Sequence, residues 1–374
     1  MPISSESFTR SRSTRLGEVG SAFWSGFTTP SLFALAVMVV AFVATALGVF
    51  VGVTPTRLAG PLAPYLARGS TDAEGFATSE AFKLAYGPKT PGGPPRLYVI
   101  GNSLIAQALA SDERMTANLQ DATRRDWDVR FLISPLQGAL DEAALADYAT
   151  RQTPGIVMLS SGFDRLGSDT ADLLKYYRMA RLGFRSEWPD EQVRSILQAR
   201  PRRTTGNFLF DNRFFFIRNA SMISLRYATR QPAEHRIDSY IFEQTDIKLT
   251  TYSAEILKNL KANYRPGKIA VDLLTDTAPR LKARGNRIVL FEAPISPALL
   301  ARPADRERYE IHLQEMARIS ANLGAYYCRL PDGVAVPPSI FRDYYHIADP
   351  AWQERLRVRL AECVADMTRG ETRS

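Results

Sequence analysis

Histidine and cysteine are scarce in this 374-residue chain, which has three of the first and two of the second. No His/Cys/carboxylate set falls at metal-ligand spacing, so neither a metal nor another cofactor is expected. Glycine-rich phosphate loops are also missing. Gly101 and Gly138 stand alone, and no zinc-finger, Walker or dinucleotide-binding pattern occurs. There is no internal repeat and no low-complexity block. Hydrophobic residues make up 45% of the chain, which excludes both a disordered protein and a polytopic transporter. The net charge of +8 points to an acidic partner such as anionic lipid or polysaccharide. It does not by itself indicate nucleic acid, and no nucleic-acid partner is expected.

Charge is absent altogether from Ser31 to Val53, SLFALAVMVVAFVATALGVFVGV. A helix needs roughly 20 apolar residues to cross the hydrocarbon core, and the apolar region of a cleaved signal peptide is only about 7–15 residues long. The run therefore predicts a single transmembrane helix over 31–53. Arg10, Arg12 and Arg15 precede it, Arg57 and Arg68 follow it, and Phe23, Trp24 and Phe27 suit an interfacial belt. That pattern places residues 1–30 in the cytoplasm and the bulk of the chain on the other side of the bilayer. In an exported domain, Cys328 and Cys363 form either a disulfide or two buried thiols; the sequence leaves both open.

Residues 54–95, rich in Pro, Gly and Ala, read as a linker with a short helix near Ser79–Ala85, closed by KTPGGPP. From Arg96 to the C-terminus, 96–374, strands and helices alternate. The strands are RLYVIG (96–101), WDVRFLI (127–133), GIVMLSS (155–161), NRIVLFEAP (286–294) and AYYCRL (325–330). Helical spacing runs over Leu104–Gln120, Ala139–Ala149, Ile269–Arg284, Arg306–Asn322 and Ala351–Met367. This order predicts an α/β domain with a parallel sheet covered on both faces. Between the third and fourth strands an excess of about 100 residues, 168–266, exceeds any ordinary connection and reads as a helical insertion. It is basic and aromatic, above all from Arg200 to Arg230. A solvated helical subdomain, a lid, a surface for anionic glycan and a face on lipid headgroups all fit that composition.

Ser103 follows the first strand directly, in IGNSL, and precedes a helix. Ligands of open parallel sheets collect at this edge, although a serine there is also an ordinary helix cap. Near the C-terminus, FRDYYHIADP sets Asp343 three residues before His346 on one loop ahead of the last helix. That spacing lets a carboxylate hold one imidazole nitrogen while the other faces a nucleophile. His235 and His312 have no acidic neighbour at such spacing within a loop, and His312 falls inside a helix.

A serine after the first strand, a block near the end of the third and D-x-x-H before the final helix resemble the SGNH (GDSL-type) hydrolase superfamily. The resemblance implies a three-layer α/β/α, flavodoxin-like sheet. It also implies Ser103 as nucleophile, His346 as base and Asp343 as the residue orienting it. Two departures stand out. Asn102 replaces the usual aspartate. The G-x-N-D block aligns with Ser161–Asp164, so Phe163 takes the place of an asparagine that donates to the oxyanion. The remaining oxyanion donors would then come from Ser103, Gly138, Asn102 and Gln137.

An anchored, exported domain of this kind resembles proteins that work with a membrane-bound O-acyltransferase partner on envelope polysaccharides. The expected location is the bacterial inner membrane, with the large domain periplasmic. The expected partners are the bilayer, that acyltransferase and an anionic or neutral polysaccharide acceptor. The expected activity is transfer of an acyl group, acetyl in the simplest case, through an acyl-serine. An esterase that removes such groups would use the same residues, and a non-catalytic assembly or binding protein is the reading that Phe163 favours.

Overall fold

The computed structural model describes residues 29–66, 73–88, 92–109, 111–134, 137–163, 182–197, 205–230 and 268–370. Arg10, Arg12, Arg15, Phe23, Trp24, Phe27, Arg68, Asp164, His235 and much of 168–266 lie outside them. The chain divides into two units, Met1–Val53 and Thr54–Ser374.

The described part of the first unit is one helix, α1 (Thr29–Gly52). At about 1.5 Å per residue its 24 residues exceed the ~30 Å of a hydrocarbon core. No polar face interrupts it, and Phe33, Phe42 and Val51 are each more than 70% exposed. It is long and apolar enough to cross a membrane.

The second unit is an α/β fold around a five-stranded, wholly parallel sheet: β1 (Arg96–Gly101), β2 (Asp128–Ile133), β3 (Ile156–Ser160), β4 (Arg287–Phe291) and β5 (Tyr326–Cys328). The spatial order is β2-β1-β3-β4-β5. Strand order reverses between β1 and β3, which makes the carboxyl end of β1 a topological switch point. The strands read as continuous apolar runs because both of their faces are buried. Leu97, Val99, Phe131, Met158, Val289 and Phe291 belong to one apolar core. Their alternates Tyr98, Ile100, Leu132, Val157 and Leu290 point the opposite way and are equally buried.

The first core is closed by α4 (Ser103–Leu109), α5 (Asp112–Thr123) and α12 (Pro350–Gly370), which pack on one another. A second group, α2 (Pro55–Ala59), α3 (Ala73–Tyr86), α6 (Ala139–Ala149) and α10 (Lys268–Ala283), likewise packs together. Buried Asp147 of α6 accepts hydrogen bonds from Arg151, Ser186 and Arg284, which ties the end of α10 to this group. Helix α11 (Pro303–Leu323) ends at Gly324, whose φ of 56° is the left-handed cap that glycine adopts without strain.

Two expectations change. The helix expected over Leu104–Gln120 is two, because Ser111 opens a new N-terminus. Its Oγ accepts the Arg114 N–H, and Asp112 and Glu113 occupy the first turn. The short helix expected near Ser79–Ala85 is longer, spanning α3, and packs into the fold. Ala77, Ala81, Phe82 and Ala85 of that helix are buried, and Phe82 meets Tyr148, Phe184 and Phe208 edge-on. Within 168–266, the described residues include three helices, α7 (Glu187–Leu197), α8 (Phe208–Asp211) and α9 (Arg213–Thr229), as expected of a helical insertion. On α9, Phe214, Ile217 and Leu225 share one exposed face.

Cys328 of β5 and Cys363 of α12 are joined in a disulfide with their Cα atoms 5.9 Å apart. The bond closes a loop of 35 residues that contains the Asp343–His346 segment. In the chain-entropy account, a loop of that size contributes about 4 kcal/mol. Reduction, or a Cys328→Ala/Cys363→Ala pair, is expected to lower the unfolding free energy by about that amount in denaturant titrations. Two alkylatable thiols in denatured, unreduced protein would contradict the bond.

Candidate active site

The site begins where β1 stops. A Cβ on Gly101 would fall 2.5 Å from Ile105 Cγ1, so only glycine lets α4 fold this closely over the strand end. Asn102 caps α4: its Oδ1 accepts the Leu104 N–H at 3.0 Å, and its carbonyl accepts the Ala106 N–H. Ser103 is thereby fixed as the first helical residue, half-buried, at the carboxyl edge of the central strand.

The second half of the site is a loop closed on itself. Phe341 and Ile347 form an antiparallel bridge, and the Arg342 N–H donates to the His346 carbonyl at 2.9 Å. Inside it, Asp343 Oδ1 accepts the Tyr345 and His346 N–H groups at 2.8 and 2.7 Å. Asp343 Oδ2 lies 2.6 Å from His346 Nδ1, and His346 Nε2 lies 3.0 Å from Ser103 Oγ. With Nδ1–H donating to the carboxylate, Nε2 is left as acceptor for the hydroxyl. Three side chains, two of them 243 positions apart, therefore form one hydrogen-bonded line.

Burial alone would push the Asp343 carboxyl up. The His346 hydrogen bond and charge, with the two backbone donors, outweigh it and hold the group below the usual carboxylate range.

Leu104, Phe163, Ile295, Leu299 and Tyr345 form a separate apolar cluster. Two of its members, Leu104 and Tyr345, are the chain neighbours of Ser103 and His346. Its Ile295 segment is held to the histidine loop by the Ser296 N–H, which donates to the Tyr344 carbonyl at 2.8 Å.

The four residues considered for an oxyanion hole fare differently. The Ser103 N–H has no acceptor among the described residues, and neither has Asn102 Nδ2. Gly138 donates its N–H to Asp141 Oδ2 at 3.0 Å, as part of the N-terminal cap of α6. Gln137 is buried, with Oε1 accepting from the Ser134 N–H and hydroxyl and Nε2 donating to the Leu132 carbonyl. Its amide holds the loop after β2. Phe163 offers no donor and meets Tyr309 and His312 edge-on.

A buried polar group escaped the sequence reading. Glu292, the residue after β4, lies 3.0 Å from His312 Nε2 through Oε2, which also accepts from Ser161 Oγ at 3.2 Å. Its only signal was an acid at the end of an apolar strand, and its partners are set by β3–β4 pairing. Among the described residues, no group of three His, Cys, Asp or Glu side chains is placed to hold a metal ion. No protein-family model matches the chain, and no curated protein matches it either.

The lowered Asp343 pKa has a defined pH signature. A carboxyl with a folded-state pKa below its unfolded value of about 3.9 stabilises the fold fully above that value. The contribution is lost as pH falls through the lower folded pKa. The stability difference between the wild type and Asp343→Asn is therefore expected to stay constant from neutral pH to about 4 and shrink only below it. A difference already declining at pH 6 in urea titrations would contradict this.

Proposed function

We infer that this chain is a membrane-anchored serine O-acyltransferase of SGNH type that acts outside the cytoplasm. The observation that carries the reading is the unbroken line from Ser103 Oγ through His346 to Asp343. His346 Nε2 takes the hydroxyl proton as Ser103 Oγ attacks the carbonyl carbon of an acyl donor. The donor's leaving group departs with that proton and an acyl-Ser103 ester remains. A polysaccharide hydroxyl then gives its proton to His346, attacks the ester and releases Ser103. Asp343 stabilises the imidazolium in both halves. The Ser103 N–H and Asn102 Nδ2 are the donors best placed to meet the oxyanion, and Gly138 could join only by releasing Asp141.

The sheet order and the two helix groups support reading 96–374 as one three-layer α/β/α domain, with 168–266 inserted in it. Helix α1 supports an anchor in the bacterial inner membrane, with residues 1–30 cytoplasmic and the large domain periplasmic. The exposed apolar face of α9 and its neighbouring arginines suit a surface that rests on anionic headgroups. A membrane-bound O-acyltransferase is the partner this arrangement calls for.

The bonded Gly138 N–H and the apolar Phe163 favour a second reading, a non-catalytic assembly protein. Labelling of the full chain by a fluorophosphonate separates the two: acyl transfer requires labelling that Ser103→Ala abolishes. Ser103→Ala and His346→Ala are each expected to lower turnover by a factor on the order of 10⁴–10⁶, and the double variant little further. Folded wild type that resists the probe would leave the assembly reading in place.

Topology is tested separately. A C-terminal alkaline phosphatase fusion is expected to be active. An inactive fusion with an active cytoplasmic reporter at the same site would reverse the orientation.

A further inference from the structure

The loop that carries Asp343 and His346 also carries a cation with no counter-charge. Arg342 is half-buried, and among the described residues its guanidinium makes no ion pair and no side-chain hydrogen bond. Nη2 is closed off from solvent without a partner, whereas Nε and Nη1 stay open. Other withdrawn arginines of the fold are matched: Arg96 pairs with Asp128 at 2.7 Å, and Arg357 with Glu354 at 2.7 Å. The adjacent Asp343 does not serve Arg342, because both of its oxygens are committed to the loop and to His346. Withdrawing a charge from water without a partner is costly, so an unmatched guanidinium points to a counter-ion supplied from outside.

Register places this side chain. The Ile340 carbonyl accepts the Ala348 N–H at 2.8 Å, the Arg342 N–H donates to the His346 carbonyl at 2.9 Å, and Phe341 pairs with Ile347 between them. Arg342 therefore stands directly opposite His346. Residues opposite one another in an antiparallel pair project to the same face, with Cβ atoms about 4.5–5.5 Å apart, and their chain neighbours project to the other. Phe341 and Ile347 turn into the first core. Arg342 and His346 thus share the opposite face, where His346 meets Ser103.

We propose that Arg342 is a specificity-determining residue that recognises a carboxylate on the acceptor sugar, so that the polysaccharide acylated through Ser103 carries uronic-acid units. The proposal rests on the acyl-transfer reading and narrows its acceptor. An acetyl group has no charge, so the anion has to arrive with the hydroxyl-bearing partner. A carboxylate on the ring that bears this hydroxyl accepts from Nε or Nη1, the open side of the guanidinium, and so holds the hydroxyl beside the acyl-serine. The net charge of +8 favours the same class of polymer.

The test uses the full chain in detergent and titrates methyl β-glucuronide and methyl β-glucoside by calorimetry; the two sugars differ only in the carboxylate. The glucuronide should bind about tenfold tighter or better, the worth of one charge-assisted hydrogen bond, and the preference should fall as salt is raised. Arg342→Gln should bring the two affinities together, Arg342→Lys should keep part of the difference, and both should retain the wild-type circular dichroism spectrum. Arg342→Met gives the same reading should the glutamine variant not fold. Cleavage of 4-nitrophenyl acetate by the wild type is followed in parallel. A glucuronide preference that Arg342→Gln abolishes, without ester cleavage, would uphold the carboxylate site and remove the acyl-transfer reading. Ester cleavage with equal binding of the two sugars, binding of neither, or a preference that survives the loss of Arg342 would overturn the proposal. Preferential cleavage of 4-nitrophenyl hemisuccinate that depends on Arg342, with no sugar preference, would move the carboxylate to the acyl donor and overturn it equally.

Discussion

The Asp343 carboxylate organises the carboxyl edge of this sheet. One of its oxygens gathers two backbone N–H groups and so shapes the loop from 343 to 346; the other receives the imidazole of His346. A single ionised group therefore sets both the path of the backbone and the tautomer of the ring. An amide in its place keeps one acceptor and cannot fill both roles. The loop is anchored independently at its ends, by the bridge between Phe341 and Ile347 and by the disulfide that spans it. The carboxylate then positions the ring on a frame that is already fixed. The opposite half depends on a steric constraint, since Gly101 lets α4 close on the strand end and bring Ser103 to His346.

Legibility from the amino-acid sequence followed the range of the interactions involved. Asp343 and His346 are three residues apart on one loop, so their contact is local and their spacing displayed it. Ser103 was visible because an apolar strand ending in glycine and followed by a helix is a local pattern, and the strands were visible for the same reason. One failure was also local but subtler. Ser111 with Asp112 and Glu113 restarts a helix inside what reads as one periodic run. The helix near Ser79–Ala85 was legible, but not its full length or its packing, which depends on Phe82 meeting aromatic partners far along the chain.

The contacts that stayed hidden are tertiary. Ser161 and Glu292 are 131 positions apart and meet only because β3 and β4 pair in one register. His312 reads as a lone helical histidine until that strand end faces it. Gly138 was considered for its N–H, but a side chain one turn into α6 takes that donor. No spacing rule distinguishes an N–H that caps its own helix from one left for a ligand.

Phe163, just past β3, joins Leu104, Ile295, Leu299 and Tyr345 in an apolar cluster, where the SGNH resemblance would imply a donor. A missing donor can lower a rate by a factor on the order of 10²–10³. An apolar wall acts in the other direction on a different step. On the acyl-transfer reading, it would keep water from an acyl-serine and slow hydrolysis, while a bound hydroxyl held at the same edge would keep its access. On the acyl-transfer reading the two effects are not symmetric. Loss of oxyanion stabilisation slows both halves of the reaction, whereas exclusion of water decides which nucleophile completes the second. A transferase gains from such an exchange and an esterase does not, because only the transferase must protect its intermediate from the solvent around it.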